Sequence, residues 1–396
     1  MAPLQIYDPR ERAAVAAADR VLRAAAAAAR PFRHRVKLAA PKHILLLRLE
    51  RIGDLVMSLR GIAAVRALAP GARIDLVVGS WNAELASAIS SVDHVHTMDA
   101  PWLARDAGGL GLPRLLRTAG AWRHGTYDLA LNFEPDLRSN MLMAFAGARW
   151  TAGYRSAGGG PVLDDALEYD PASHTSDNAV RLVETVFGAP APPPIGPLLS
   201  IPDAHRQRAR ALLGAIGRPI VAMHVSGGRP VKQWDPARFA DVARRLVIGR
   251  RAAIVLTGSA ADRPLLEQVR SALPGGSTVD ATSTSSLLTL AALLDESDLL
   301  VTGDTGPMHI AAAVGTPIVA VFGPSDPRRY APRGPHDRVV RLDLPCAPCN
   351  RIRLPPARCT GIIPDCLALV SSDRVVDAAI DILDQCAQGR GGNVTP

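Results

Sequence analysis

Short apolar runs alternate with amphipathic stretches along most of the chain. His43–Arg48 reads as a strand. Leu55–Leu68 reads as a helix with Leu55, Leu59, Ile62 and Val65 on one stripe, ended by Pro70-Gly71, and Ile74–Val78 as the next strand. That β-α-β order predicts a parallel sheet with a right-handed crossover. Tyr127–Phe133 and Trp150–Tyr154 read as further strands, and Arg181–Phe187 as the end of a helix. The Pro-rich stretch Gly188–Pro202 cannot be helix and is a poor strand, so it reads as an extended linker. The alternation then resumes. Strands are expected over Ile220–Val225, Ala252–Leu256, Asp298–Thr302 and Ile318–Phe322. Helices are expected over Pro236–Leu246, Pro264–Leu273, Ser286–Leu294, Met308–Val314 and, last, Ser371–Gln385. The expected fold class is α/β, in two halves with a cleft between them.

Leu300–Gly323 organises the second half. Gly303 and Gly306 allow a sharp turn and close approach of a ligand. Pro307 suits the first position of a helix. A helix N-terminus beside glycine is a ready anion site, with phosphate the usual anion. Asp304 or Thr305 could serve only as a cap, but capping does not account for Thr302, Asp304, Thr305 and His309 gathered around one turn. Two other places can carry chemistry. Gly53-Asp54 follows the first strand, at the end where parallel sheets bind ligands; an N-cap is the alternative role for Asp54. The loop His224–Trp234 brings Ser226, two glycines, Arg229 and Lys232 together after a strand, a composition suited to phosphate. No Gly-x-Gly-x-x-Gly follows the first strand, which disfavours a dinucleotide dehydrogenase. No Walker-type Gly-Lys-Ser/Thr and no metal-chelating Asp-x-Asp occurs.

Composition narrows the partners. The 396 residues carry 45 Lys and Arg against 37 Asp and Glu, a net charge of +8 that favours an acidic ligand. Aromatics make up only 4%, so aliphatic side chains must fill the cores. The N-terminus has Asp8 and Glu11 early and no apolar segment of signal-peptide type. No apolar run approaches the roughly 20 residues of a membrane span. Five cysteines without a secretory signal point to a reducing compartment, so a cytoplasmic location is expected. The Ala-rich Arg10–Arg30 helix, with Arg12, Arg20 and Arg23 along it and Arg33, Arg35, Lys37 and Lys42 after it, has two readings. It is a solvated helix packed on the first domain, or a surface that touches anionic lipid at the inner face of the membrane. Cys346, Cys349, Cys359 and Cys366 are either a four-thiolate metal knuckle or reduced thiols in an irregular loop.

Taken together, the motifs resemble the family 9 glycosyltransferases, heptosyltransferase-like enzymes of lipopolysaccharide core assembly. The residues concerned are Leu45–Val56 (Leu-Leu-Leu-Arg-Leu-Glu-Arg-Ile-Gly-Asp-Leu-Val), the Lys-x-Trp-x-Pro-x-x-Phe of Lys232–Phe239, and Gly303–His309. The likeness continues through Val319–Pro324 and Asp326-Pro327, and Cys346-x-x-Cys349 is similar to a feature of many members. The resemblance spans roughly Lys42 to Leu383 and implies a GT-B architecture, two Rossmann-like domains facing across a cleft. The organisation expected is a basic extension over 1–40, an acceptor domain over 41–190, a linker over 191–202, a nucleotide-sugar domain over 203–370, and a C-terminal helix over 371–396 that crosses back.

The resemblance further implies an inverting transfer of a sugar, heptose above all, from a nucleotide-diphospho-sugar such as ADP-heptose to an anionic glycolipid. Nucleic acid is not an expected partner. Asp54 would be the general base, with Gly53 beside it. Lys232 would balance the leaving diphosphate, the N–H groups of Thr305 and Gly306 would hold it, and Asp304 would hydrogen-bond the donor sugar. Ser226 and His309 complete the expected substrate contacts, and no cofactor or obligatory metal is implied. The chain departs from the pattern in its first 40 residues, at Glu50-Arg51, where small hydroxyl residues are frequent, and at Ser226–Arg229. A transferase for another sugar or acceptor, a nucleotide-sugar epimerase and a non-catalytic nucleotide-sugar binding protein are the alternative readings.

Overall fold

The computed structural model describes residues 4–6, 8–29, 39–103, 111–122, 126–282 and 286–391. The chain forms two compact units, Met1–Leu198 and Leu199–Pro396, and the boundary falls inside the Pro-rich stretch. The first unit is built on six parallel strands: β1 (His43–Arg48), β2 (Arg73–Val78), β3 (His94–Thr97), β4 (Leu129–Asn132), β5 (Trp150–Tyr154) and β6 (Asp165–Leu167), in the order β3-β2-β1-β4-β5-β6. The second repeats the winding with β7 (Ile220–His224), β8 (Ala253–Thr257), β9 (Thr278–Asp280), β10 (Leu299–Gly303), β11 (Ile318–Val321) and β12 (Arg338–Val340), in the order β12-β11-β10-β7-β8-β9. In each sheet the chain starts in the middle, winds to one edge, and returns to wind to the other. A crevice opens where the winding reverses, outside the carboxyl ends of β1 and β4 in one unit and of β7 and β10 in the other.

The central strands form where the apolar runs predicted them. Ile44, Leu45, Leu46 and Leu47 are fully buried, which requires helices on both faces of the sheet. The helix Ile52–Leu68 covers one face and packs against the helix Thr175–Phe187. Gly61 sets their approach, because a Cβ there would lie 2.9 Å from the Ala179 Cβ and 3.0 Å from its carbonyl oxygen. In the second unit the final helix, Ser372–Gly391, packs on the helix Pro236–Arg250 and on β10, β11 and β12. Val375, Val376, Ala379 and Ile382 are its buried stripe.

Four strands were not expected from the sequence: β3, β6, β9 and β12, the outermost strand on each side of each sheet. The first helix of the β-α-β unit starts at Ile52 rather than Leu55, which brings Gly53 and Asp54 into its first turn. The N-terminal helix is Pro9–Ala29. It packs on the first unit, as one of its two readings holds. Asp19 is buried and accepts a hydrogen bond from the Gly159 N–H at 2.7 Å, and ahead of the helix Gln5 N–H donates to the Ser156 carbonyl at 2.7 Å. Gly159 has φ +78°, a conformation that suits glycine. The expectations at Arg30, Arg33, Arg35 and Lys37 lie outside the described residues. No helix among the described residues is long and apolar enough to cross a membrane.

The Gly61–Ala179 contact leaves no room for a side chain. Gly61→Val is expected to destabilise the first unit by about 1–3 kcal/mol through overpacking. A denaturation midpoint equal to that of the wild type would show that the two helices part without cost.

Candidate active-site centres

In the first unit the chemistry gathers at the β1/β4 crevice. β1 ends in Arg48, which is only 2% exposed although it is charged. Its guanidinium spans three segments. Nη1 donates to the Phe133 carbonyl just beyond β4 and lies 3.1 Å from Glu50 Oε2. Nε donates to the Asp54 carbonyl at 3.2 Å, and Nη2 to Asp54 Oδ1 at 3.4 Å. Burial works against this charge, but Glu50, then Asp54 and Glu134, outweigh it and hold the guanidinium protonated above its ordinary range.

Glu134, also buried, follows β4 and accepts N–H hydrogen bonds from Leu49 and from Glu50, the latter at 2.8 Å. Burial pushes its carboxyl upward against the pull of Arg48. Asp54 is the third residue of its helix and Arg51 occupies the N-cap, so Asp54 does not have the capping role that was its alternative. Its side chain is 30% exposed. Oδ1 faces Arg48, while Oδ2 has no hydrogen-bond partner among the described residues. Opposite, Trp81 Nε1 and Asn82 Nδ2 both donate to the Glu50 carbonyl, at 3.0 and 2.8 Å.

The second unit builds its centre at the β7/β10 crevice. Lys232 Nζ and Asp304 Oδ2 are 2.7 Å apart, and His309 Nε2 lies 4.0 Å from Asp304 Oδ1. Asp304 is buried, which raises its proton affinity. The charges of Lys232 and His309 and a hydrogen bond from Ser325 outweigh that and hold the carboxyl below its usual range. The helix Gly306–Val314 starts beside this pair. Thr305 is its N-cap and gives no side-chain hydrogen bond to the first turn. Thr302, Asp304, Thr305 and His309 are all buried around the same turn. An anion entering here meets an ammonium group and a helix N-terminus together.

The Lys-x-Trp-x-Pro-x-x-Phe motif explains how Lys232 is aimed. Trp234 and Phe239 pack edge to face at 4.7 Å in the core, and the indole N–H donates to the Val370 carbonyl at 3.2 Å. Asp235 caps the next helix through the Ala237 N–H at 2.9 Å, and Pro236 opens it. Gln233 closes the loop by accepting the Gly227 N–H at 2.7 Å. A Cβ on Gly227 would lie 2.7 Å from the Gln233 nitrogen, so only glycine fits.

The structure thus joins Lys232, Asp304, Thr305, Gly306 and His309 in one centre, and places Gly53 and Asp54 in the centre of the first unit. Ser226 Oγ accepts the Gly228 N–H at 3.5 Å and lies beside the Asp262 carboxylate. Sequence reasoning missed Arg48, Glu134, Gln233 and Ser325. The available signal was a lone arginine ending an otherwise apolar strand. The five cysteines are free thiols. Burial, with Cys349, Cys359 and Cys346 nearby, pushes the Cys366 thiol up to about 11. Among the described residues no three His, Cys, Asp or Glu side chains are arranged to hold a metal ion.

Behind the second centre, burial pushes His224 down to about 4, against the pull of Asp262 and Thr257. The unfolded histidine binds its proton near 6.5. Between these values the unfolded chain takes up the proton and the folded one does not, so stability falls as pH drops. The loss is expected to be on the order of 2–3 kcal/mol by pH 4. Urea unfolding at pH 7, 5.5 and 4.5 tests it. His224→Gln should flatten the dependence, and parallel curves for variant and wild type would refute the assignment.

Residues 115–355 match the model of "Glycosyltransferase family 9 (heptosyltransferase)". Among curated relatives, "Lipooligosaccharide heptosyltransferase 2" of Haemophilus influenzae is 28% identical over 316 residues, covering 76% of this chain and 88% of that protein. "Lipopolysaccharide heptosyltransferase 2" of Escherichia coli is 25% identical over 322 residues, covering 76% and 88%. The structure of the E. coli ADP-heptose lipopolysaccharide heptosyltransferase II superposes with a TM-score of 0.70 at 22% identity, covering 87% of this chain and 99% of that one. That of a family 9 glycosyl transferase from Veillonella parvula gives 0.74 at 22% identity, covering 87% and 98%. The fold is that of the GT-B heptosyltransferases, and the chain belongs to glycosyltransferase family 9, the heptosyltransferase family of transferase enzymes.

Proposed function

We propose that the chain transfers heptose from ADP-heptose to an anionic acceptor of the lipopolysaccharide core, with inversion at the anomeric carbon. The family membership and the curated heptosyltransferases it resembles support the reaction class. The observation that carries the assignment to residues is the buried Lys232–Asp304 pair beside an uncapped helix N-terminus. In this reading Lys232 and the N–H groups at Thr305 and Gly306 bind the donor diphosphate. Asp304 accepts hydrogen bonds from the donor sugar, and His309 lines the same turn. Asp54 Oδ2 takes the proton of the acceptor hydroxyl. The hydroxyl oxygen bonds to the anomeric carbon, the bond from that carbon to the diphosphate breaks, and the electron pair leaves on ADP. Lys232 and the helix dipole stabilise that charge, so transfer is expected to persist in EDTA.

Thermal shift and transfer assays test the reading. ADP or ADP-heptose should raise the melting temperature of the wild type by mass action, where UDP, GDP and dTDP sugars should not. Lys232→Ala should lose the shift. Asp54→Asn should keep it while kcat falls about 10²–10⁴-fold. A shift with a different nucleotide would change the donor, and a fully active Asp54→Asn would remove Asp54 as the base.

The acceptor is a lipid-linked glycan, so a cytoplasmic enzyme with peripheral membrane contact fits the reaction. Arg10, Arg12, Arg20 and Arg23 are exposed on the N-terminal helix, with Glu11 the one exposed acid among them. Sedimentation should show binding to vesicles containing phosphatidylglycerol and none to phosphatidylcholine alone. Replacing the four arginines by glutamine should release the protein, and equal binding to both vesicles would refute an electrostatic contact.

A further inference from the structure

The Arg48 site is expensive for the first unit to build. A guanidinium ends a strand whose preceding four residues are fully buried and aliphatic. For stability alone an apolar side chain would serve this position as well or better. Arg48 is nevertheless fully engaged, and its hydrogen bonds converge on one turn. It donates twice to Asp54, once to the backbone carbonyl and once to Oδ1, and a third time across the crevice to the Phe133 carbonyl. Glu50 balances it from one side. Glu134 contributes from the other, and also fastens the Leu49 and Glu50 N–H groups of the same turn.

We propose that Arg48, seated by Glu50 and Glu134, is the positioning residue that fixes Asp54 for proton abstraction from the acceptor hydroxyl. The inference rests on the reading of Asp54 as the base. Arg48 is the one side chain among the described residues that ties the Asp54 carboxylate. A half-exposed aspartate on a first helical turn otherwise has several rotamers, and only one orients Oδ2 productively. The planar fork of an arginine can hold the carbonyl and the carboxylate of one residue together, which the single ammonium of a lysine cannot. The charge balance also suits the reaction. Once Asp54 has taken the proton and is neutral, Glu50 and Glu134 still compensate Arg48, so no buried cation is left unpaired. Tyr169 and Tyr154 are the further titratable groups within the reach of the Arg48 charge.

Two variants test this. Arg48→Lys keeps the charge but loses the fork. Arg48→Met combined with Glu134→Gln removes both buried charges together, so that neither is stranded. In both, the KM for ADP-heptose should stay within about twofold of wild type, because the donor centre is untouched. kcat should fall about 10–100-fold, the cost of a misplaced group. Folded variants with wild-type kcat would overturn the proposal. So would a KM for ADP-heptose that rises along with the fall in kcat, since a disturbance that reaches the donor centre marks a structural role alone. Should the double variant not fold, the kcat of Arg48→Lys decides. Asp54→Asn is assayed beside them: if it is as active as wild type, the base assignment has failed rather than the positioning role.

Discussion

A buried cation held between the ends of two neighbouring parallel strands is the interaction on which both centres depend. Reversal of the winding leaves a gap beyond β1 and β4 and another beyond β7 and β10. The chain spans each with one charge-assisted contact: Arg48 from β1 to the segment after β4, and Lys232 from the loop after β7 to the residue after β10. Neither cation would be favourable where it sits without its carboxylates, because an unpaired charge is costly to take out of water. The acids are therefore as much a part of each centre as the bases. The two sites differ in what they leave available. In the first, the cation is fully consumed and a carboxylate oxygen remains for chemistry. In the second, the carboxylate is nearly enclosed and the ammonium, still 19% exposed, is the group an incoming diphosphate can recruit from Asp304.

This contrast separates residues that act from residues that aim. Of the motif Lys232–Phe239, only Lys232 reaches the centre. Trp234 and Phe239 anchor the segment in the core, Asp235 and Pro236 start the next helix, and Gln233 with Gly227 closes the loop that precedes it. A recognisable string of residues thus reports mostly on the machinery that points one side chain. The same holds at Leu45–Val56, where the leucines are core, Arg48 is the brace, and the Asp54 carboxylate keeps one oxygen outward.

The fold was legible in the sequence wherever a strand lies inside a sheet. β1, β2, β4, β5, β7, β8, β10 and β11 are covered on both faces and so appear as apolar runs. The strands that escaped notice, β3, β6, β9 and β12, are edges of three or four residues whose side chains are half-exposed, as in His94–Thr97 and Asp165–Leu167. They are specified by the neighbour they pair with and carry little local signal. The polar residues next to glycine turns were legible as well, because a phosphate site has a composition. Arg48 and Glu134 were not, because an electrostatic influence between residues 48 and 134 has no local signature: each explains the other only once β1 and β4 are side by side.

The N-terminal helix carries a consequence for the order in which the molecule can be assembled. Asp19 and the Gly159 N–H it receives are 140 residues apart. During synthesis the helix emerges before the loop that will take its carboxylate and must wait for it on the order of ten seconds or more. Through that interval it is a 21-residue, Ala-rich segment without the loop it later docks on. Its docking is therefore a late event, possible only after β5 has joined the sheet and the glycine turn behind it has formed. The same loop is held by Asn140, which donates to the Gly158 carbonyl and accepts from Asn132 at the end of β4. The helix thus becomes a latch on the finished first unit, fastened after the sheet it secures is already in place.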